Sequence, residues 1–483
     1  MKTSTFTTAL AVAVAATFSA RADLKLPAIF GDNMVLQQQI PVPVWGWAAP
    51  GAKVTVKFSG QSHATQANAE GRWQVDLTKL NASFSPQTLA IEAGETKTFT
   101  NVLVGEVWLG SGQSNMEKPI GEQRGQKPCL NAEAELAAAD FPNIRIFKVE
   151  KKLAAEPLPD LAANSGWREC NSNALAGIRF SAAEYFFGRE IHTNLNVPIG
   201  LVESAWGGRP IEPFTPQAGF KAVPAMAKFI TQTLNTNTPI NSNAPSVIYN
   251  AMIAPLAPFA IRGALWYQGE SNRSNTNYTD KMVALIGGWR QVWQEGDFPF
   301  YFVQVAPYRY IKTNYVATAD RLPDFWLQQS RAAQRIKNTG MVVTTDLVDD
   351  LNDIHPRDKQ SVGHRLALLA LNQTYGQKSL TCFSPAFRDM KVVRGKAVLR
   401  FDHAEGGLRS KDGNPLTWFT IAGADKNFVP AEARIVGDTV EVSAAGIEQP
   451  VAVRLAWNQI AQPNLCNGAG LPAEPFSTDD PVK

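Results

Sequence analysis

The sequence predicts a mostly parallel α/β domain set between two smaller β-sandwich modules, and three observations carry that prediction. Short β-like segments punctuated by turn residues fill Asp23 to about Val102. Strands and helices then alternate to about residue 380. From Cys382 onward helix signals fade and β signals return. The corresponding divisions are 1–22 (an export signal), 23–101, 102–380 and 381–483.

The first 22 residues carry Lys2, an apolar and small-residue stretch from Ala9 to Ala16, and Ala20-Arg21-Ala22, the pattern of a cleaved secretory signal peptide. A spanning helix needs about 20 mostly apolar residues; this stretch is shorter and is broken by Thr17 and Ser19. The mature chain is therefore expected to begin near Asp23 in a periplasmic or secreted setting, with no membrane association. Losing Lys2 and Arg21 takes the formal charge from +3 to +1, a nearly neutral balance that gives no argument for nucleic acid or a membrane surface as a partner, and no nucleic acid is expected. Oligomeric state is left open.

Within the first module, Val42 to Trp47, Val54 to Phe58, Trp73 to Leu77 and Thr88 to Ile91 read as strands, separated by Pro50-Gly51, Ser59-Gly60 and Glu70-Gly71. Trp45, Trp47 and Trp73 read as core or domain-interface residues ahead of a sugar-binding face. In the middle region Ile144 to Val149, Ile199 to Val202, Ile261 to Tyr267, Phe300 to Val305 and Met341 to Thr345 read as strands. Helices are expected over Ala182 to Leu195, after Asn272 (Met282, Leu285, Ile286, Trp289 and Trp293 at helical spacing), around Phe325 to Ile336 and from about Pro356 to Tyr375. Asn235 to Ser246 is a polar, loop-like insertion. The last module carries short strands such as Ala397 to Phe401, Thr439 to Val442 and Ala452 to Trp457. Cys129 with Cys170 and Cys382 with Cys466 are the expected disulfides of an exported chain. With no CxxC, HExxH or Cys/His cluster, no metal site is expected.

Chemistry centres on Glu106 to Met116, where an apolar β run stops at Gly110-Ser111-Gly112 and Ser114 stands where the next element begins. A serine there sits beside free backbone N–H groups that can meet an oxyanion. In a parallel sheet the ligand lies beyond the carboxyl ends of the strands, so Ser114, Trp206-Gly207-Gly208, Gln268-Gly269-Glu270 and the loop from Asp349 to His355 are expected on one rim. Of the five histidines, His63 and His403 fall in the β modules and His192 and His364 inside helices. His355 stands in a loop near Asp349, Asp350 and Asp353, which suits a general base.

Four blocks, Gly112-Gln113-Ser114-Asn115-Met116, Trp206-Gly207-Gly208, Trp266-Tyr267-Gln268-Gly269-Glu270-Ser271-Asn272 and Asp353-Ile354-His355-Pro356, together resemble the sialate O-acetylesterase family of SGNH-type hydrolases. The resemblance extends to the flanks, with Leu26 to Gln37 similar to the family's opening and the segment around Ile421 to Asp425 to its ending. It implies a flavodoxin-like SGNH fold and a serine esterase that removes acetyl groups from sugar hydroxyls with no cofactor. Carried over, Ser114 matches the nucleophile, His355 the base, and the N–H groups of Ser114 and Gly207 the oxyanion hole. Two departures stand out. Gln268-Gly269-Glu270 replaces a glycine followed by asparagine, leaving Gln268 as the candidate third donor, because an ionised Glu270 cannot donate. Asn352 occupies the usual place of the acid, so Asp353 is the first choice and Asp350 the second. Arg209 and Glu270 are candidate substrate-binding residues. A non-catalytic carbohydrate-binding protein and a glycosidase using Glu270 with an aspartate are the competing readings, and the latter leaves Ser114 unexplained.

Overall fold

The computed structural model describes residues 23–123, 125–230, 239–310 and 321–480. The expected export signal and residues 235–238 of the polar insertion lie outside them. The N-terminal strands are β1 (Val35–Gln37), β2 (Val42–Trp47), β3 (Lys53–Phe58), β4 (Gln61–Gln66), β5 (Arg72–Leu77) and β6 (Ser83–Glu92). The long β7 (Thr96–Gly112) leads into β8 (Asp140–Lys148), β9 (Arg168–Asn171), β10 (Ile199–Ala205), β11 (Gly263–Tyr267), β12 (Phe300–Val303) and β13 (Thr339–Val342).

Strand β7 is the spine of the molecule. Its first half pairs antiparallel with β6, Leu89 opposite Phe99, while β1 runs parallel beside Leu103. From Glu106 onward it lies between parallel neighbours β10 and β11. The expected division at 101/102 thus falls inside one continuous strand, and the N-terminal module is joined to the main sheet through it. The central sheet has the order β13-β12-β11-β7-β10-β8-β9, and only β8 and β9 pair antiparallel.

Every residue of β7 from Val102 to Gly112 is buried, as expected for a sheet covered on both faces. Period-two alternation divides its side chains. Trp108, Leu265, Tyr301 and Val303 pack with Tyr185, Phe187, Val362 and Leu366 of the helices Ala182–Leu195 and Lys359–Leu369. Val107, Leu109, Trp266 and Phe302 face the opposite layer with Met282, Leu285 and Trp289 of the helix Tyr278–Trp293 and Phe325 of the helix Arg321–Arg335. Chain order places β8 and β10 on one side of β7 and β11 to β13 on the other. The carboxyl end of β7 is therefore the point where strand order reverses, the usual place for a ligand crevice.

Beyond residue 385 the chain forms two four-stranded antiparallel sheets. One contains Ala386–Val393, Lys396–Asp402, Thr439–Ser443 and Glu432–Val436; the other contains Phe419–Ala422 beside Ala452–Leu455. No described helix is long and apolar enough to cross a membrane.

Three expectations need correction. The last helix of the main domain begins at Lys359 rather than near Pro356, because the Asp358 side chain accepts the Ser361 N–H and caps it there. It passes at Ala370–Thr374 into a wider turn. The expected disulfides are absent: Cys129, Cys170, Cys382 and Cys466 are all free and buried. Cys129 and Cys466 instead direct their thiols to the carbonyls of Pro119 and Arg409 at 3.4 and 3.5 Å, behaving as small packing residues.

Candidate active site

The end of β7 is gripped from both sides. Trp206 N–H donates to the Gly112 carbonyl at 2.9 Å and Gln113 N–H to the Tyr267 carbonyl at 3.0 Å, so the ends of β10 and β11 hold the turn that carries Ser114. Gly112 has φ of 138°, and a Cβ there would lie 2.3 Å from the Tyr267 oxygen, so only glycine fits this approach. Ser114 opens a single helical turn, Ser114–Glu117, and is half-buried while its neighbours Gln113 and Asn115 are buried.

All four expected segments meet here. The Gly207 backbone lies against Ser114, about where a Cβ on Gly207 would be 3.3 Å from the Ser114 Cβ. Asn115 reaches the histidine loop: its Nδ2 donates to the Ile354 carbonyl at 3.0 Å and to Glu270 Oε1 at 2.5 Å, and its Oδ1 accepts from Lys359 Nζ at 2.6 Å. His355 follows Ile354 directly. One oxygen of Asp353 accepts the His355 N–H at 2.9 Å and lies 3.5 Å from His355 Nδ1. Both side chains are mostly covered, at 14% and 15% exposure. Burial, with Lys359 and Lys118 nearby, holds the His355 imidazole down to about 4 against the opposing pull of Asp353. The ring is consequently neutral, and able to accept a proton, across the mildly acidic and neutral range. Asp350 instead pairs with Lys127 at 2.9 Å on the surface, and that hydrogen bond holds its carboxyl near 2.

Several expected roles meet a different geometry. Gln268 is fully buried and its Nε2 is spent within the protein, on Gln113 Oε1 (3.1 Å), the Arg209 carbonyl (3.2 Å) and Asn272 Oδ1 (2.7 Å), while Tyr278 OH donates to its Oε1 at 2.7 Å. It ties the second and third blocks together and has no hydrogen left for an oxyanion. Glu270 lies beneath the rim at 4% exposure, its carboxyl raised by burial, and its Oε1 accepts from Asn115. The Gly207 N–H donates to Glu117 Oε2 at 2.8 Å, and the other Glu117 oxygen pairs with Lys151. Arg209 lies at the rim, its guanidinium 5.6 Å from the Trp206 ring and its Nη1 on Ser242 Oγ (2.6 Å) and Asn243 Oδ1 (2.9 Å).

Sequence reasoning missed Gln113, Asn115, Glu117 and Lys359 as members of the site. The first two lie inside the Ser114 block, and their adjacency to Ser114 was the available signal. Lys359 had none. Burial brings its ammonium down to about 7, and it sits 4.8 Å from the Tyr267 ring. Among the described residues no group of three or more acidic, cysteine or histidine side chains is arranged to hold a metal ion.

The mostly parallel α/β sheet and the rim that gathers Ser114, His355 and Asp353 belong to an ester hydrolase, the class that the comparisons give. Residues 104–372 match the family model described as carbohydrate esterase, sialic acid-specific acetylesterase. The sialate O-acetylesterase of Homo sapiens is 31% identical over 95% of this chain and 93% of its own length, and that of Rattus norvegicus 30% identical over 88% of each. The crystal structure of a carbohydrate acetylesterase from Xanthomonas citri superposes with a TM-score of 0.85 at 35% identity, over 95% of this chain and 100% of that one. The chain belongs to the sialic acid-specific acetylesterase family of carbohydrate esterases.

Proposed function

We propose that this enzyme removes O-acetyl groups from sugars, sialic acids foremost, through an acetyl-enzyme on Ser114. The observation that carries the reading is the Asn115 bridge, which binds the residue after the serine to the residue before the histidine. His355 takes the Ser114 proton as Oγ attacks the acetyl carbonyl, and Asp353 steadies the imidazolium from the Nδ1 side. The tetrahedral oxyanion collapses, the C–O bond to the sugar breaks, and His355 returns the proton to the leaving hydroxyl. Water repeats the sequence on the acetyl-enzyme and releases acetate. The Ser114 N–H is one oxyanion donor; the Gly207 N–H serves as a second once substrate displaces Glu117 from it. Arg209, beside Trp206, is the candidate contact for the sugar.

A polysaccharide substrate such as acetylated xylan or xyloglucan is the second reading, left open because the 35% identical Xanthomonas citri relative is a carbohydrate acetylesterase with no particular sugar named. Acetate release from O-acetylated sialic acids against acetylated xylan and xyloglucan fragments separates them: a preference of tenfold or more in kcat/KM for sialates supports the first, the reverse the second. Export rests on the 1–22 pattern; N-terminal sequencing of the protein recovered from outside the cytoplasm tests it, with Asp23 the expected first residue.

A further inference from the structure

We infer that the side-chain amide of Gln113 is an oxyanion donor of this site, a role resting on the Ser114 reading above. The atom that fixes the side chain is Gln113 Oε1. It faces two backbone N–H groups, those of Ser271 at 3.3 Å and Gly269 at 3.5 Å, and the Gln268 Nε2 at 3.1 Å. Backbone N–H groups can only donate, so the atom facing them is the oxygen and the orientation of the amide is settled by chemistry.

Nε2 therefore points away from that cluster. It has no acceptor among the described residues, yet it is not one of the sealed, unpaired polar atoms. A buried glutamine that places an unspent, accessible N–H pair one residue before a half-buried serine is arranged for a transient acceptor. This also gives Gln268 a purpose. With its own Nε2 consumed and its Oε1 fixed by Tyr278, it acts as a positioning residue that locks Gln113. The place left empty by the missing asparagine of the third block is thus supplied from the first.

Two substitutions and one control test the assignment, assayed at pH 8 on an acetylated chromogenic ester and on acetylated sialic acid. Gln113→Glu keeps an oxygen for the Gly269 and Ser271 N–H groups but removes the donor. Gln113→Met removes the donor without adding charge. The inference predicts that both lower kcat by about 10²–10³ with KM within about threefold, the range for one lost oxyanion donor, while the thermal midpoint of Gln113→Glu stays near wild type. Loss in Gln113→Met alone would make the residue a scaffold for the third block, and loss in Gln113→Glu alone would reduce the effect to charge; either overturns the inference. Should one variant fail to fold, wild-type kcat in the other does the same. Ser114→Ala separates the two claims. If it is inactive while both Gln113 variants turn over normally, the serine reading stands and the donor assignment falls; if it is active, both fall.

Discussion

Asn115 Nδ2 donates to the Ile354 carbonyl at 3.0 Å, so the residue beside Ser114 is bonded to the residue beside His355 across 239 positions of sequence. The same amide bonds to Glu270 Oε1 and Lys359 Nζ, on two buried ionisable groups. Asn115→Ala should therefore act on stability and rate together. Each buried polar group left unpaired costs about 1–3 kcal/mol, and loosening the His355 loop should lower kcat by at least tenfold through lost alignment. Urea unfolding and steady-state kinetics check this; a variant with wild-type stability and kcat contradicts the bridge.

The pH profile follows from His355. Its imidazole is held to about 4, mainly by burial and then by Lys359, with Lys118 adding and Asp353 opposing. The acid limb of kcat/KM should therefore fall near pH 4, well below the ordinary histidine value of about 6.5. A neighbouring cation penalises the imidazolium, so Lys359→Met favours protonation and should move the limb to higher pH. An unmoved limb would show that Lys359 does not set it.

Asp353→Asn and Asp350→Asn distinguish the two acids. Asp353 touches both the backbone and the ring of His355, whereas Asp350 pairs with Lys127 at the surface. Neutralising Asp353 should lower kcat by about 10²–10⁴, and neutralising Asp350 should leave it within about twofold. The opposite pattern reassigns the acid. Near-normal rates in both would make His355 one half of a dyad.

The four cysteines give a direct chemical check. All are buried thiols, so thiol titration should find four only after denaturation, and a reducing agent should leave the thermal midpoint unchanged. A drop in midpoint on reduction would restore the disulfides.

Local signals were well legible. The helix Ala182–Leu195 was readable to its ends because Ser181 accepts the Glu184 N–H at its start and Asn196 takes the left-handed conformation at its close. Ser114 was marked by glycines and His355 by its loop and its acids. What stayed hidden depends on partners far along the chain. Nothing near Gln268 shows that Gln113, 155 residues away, would consume its amide, and nothing near Lys359 shows that it would reach Asn115 across 244. Continuity across 101/102 was likewise invisible, because an antiparallel module and a parallel sheet share one strand only once both have formed. The cysteines misled because compartment says whether disulfides can form and not whether two thiols meet.

The most direct measurement is acetate release by Ser114→Ala beside wild type, with the fold of both followed by circular dichroism and thermal midpoint. The substitution removes the oxygen proposed to attack and little else, so kcat should drop by about 10³ or more with the midpoint unchanged. Wild-type turnover in a folded Ser114→Ala protein would contradict the acetyl-enzyme on which the account is built.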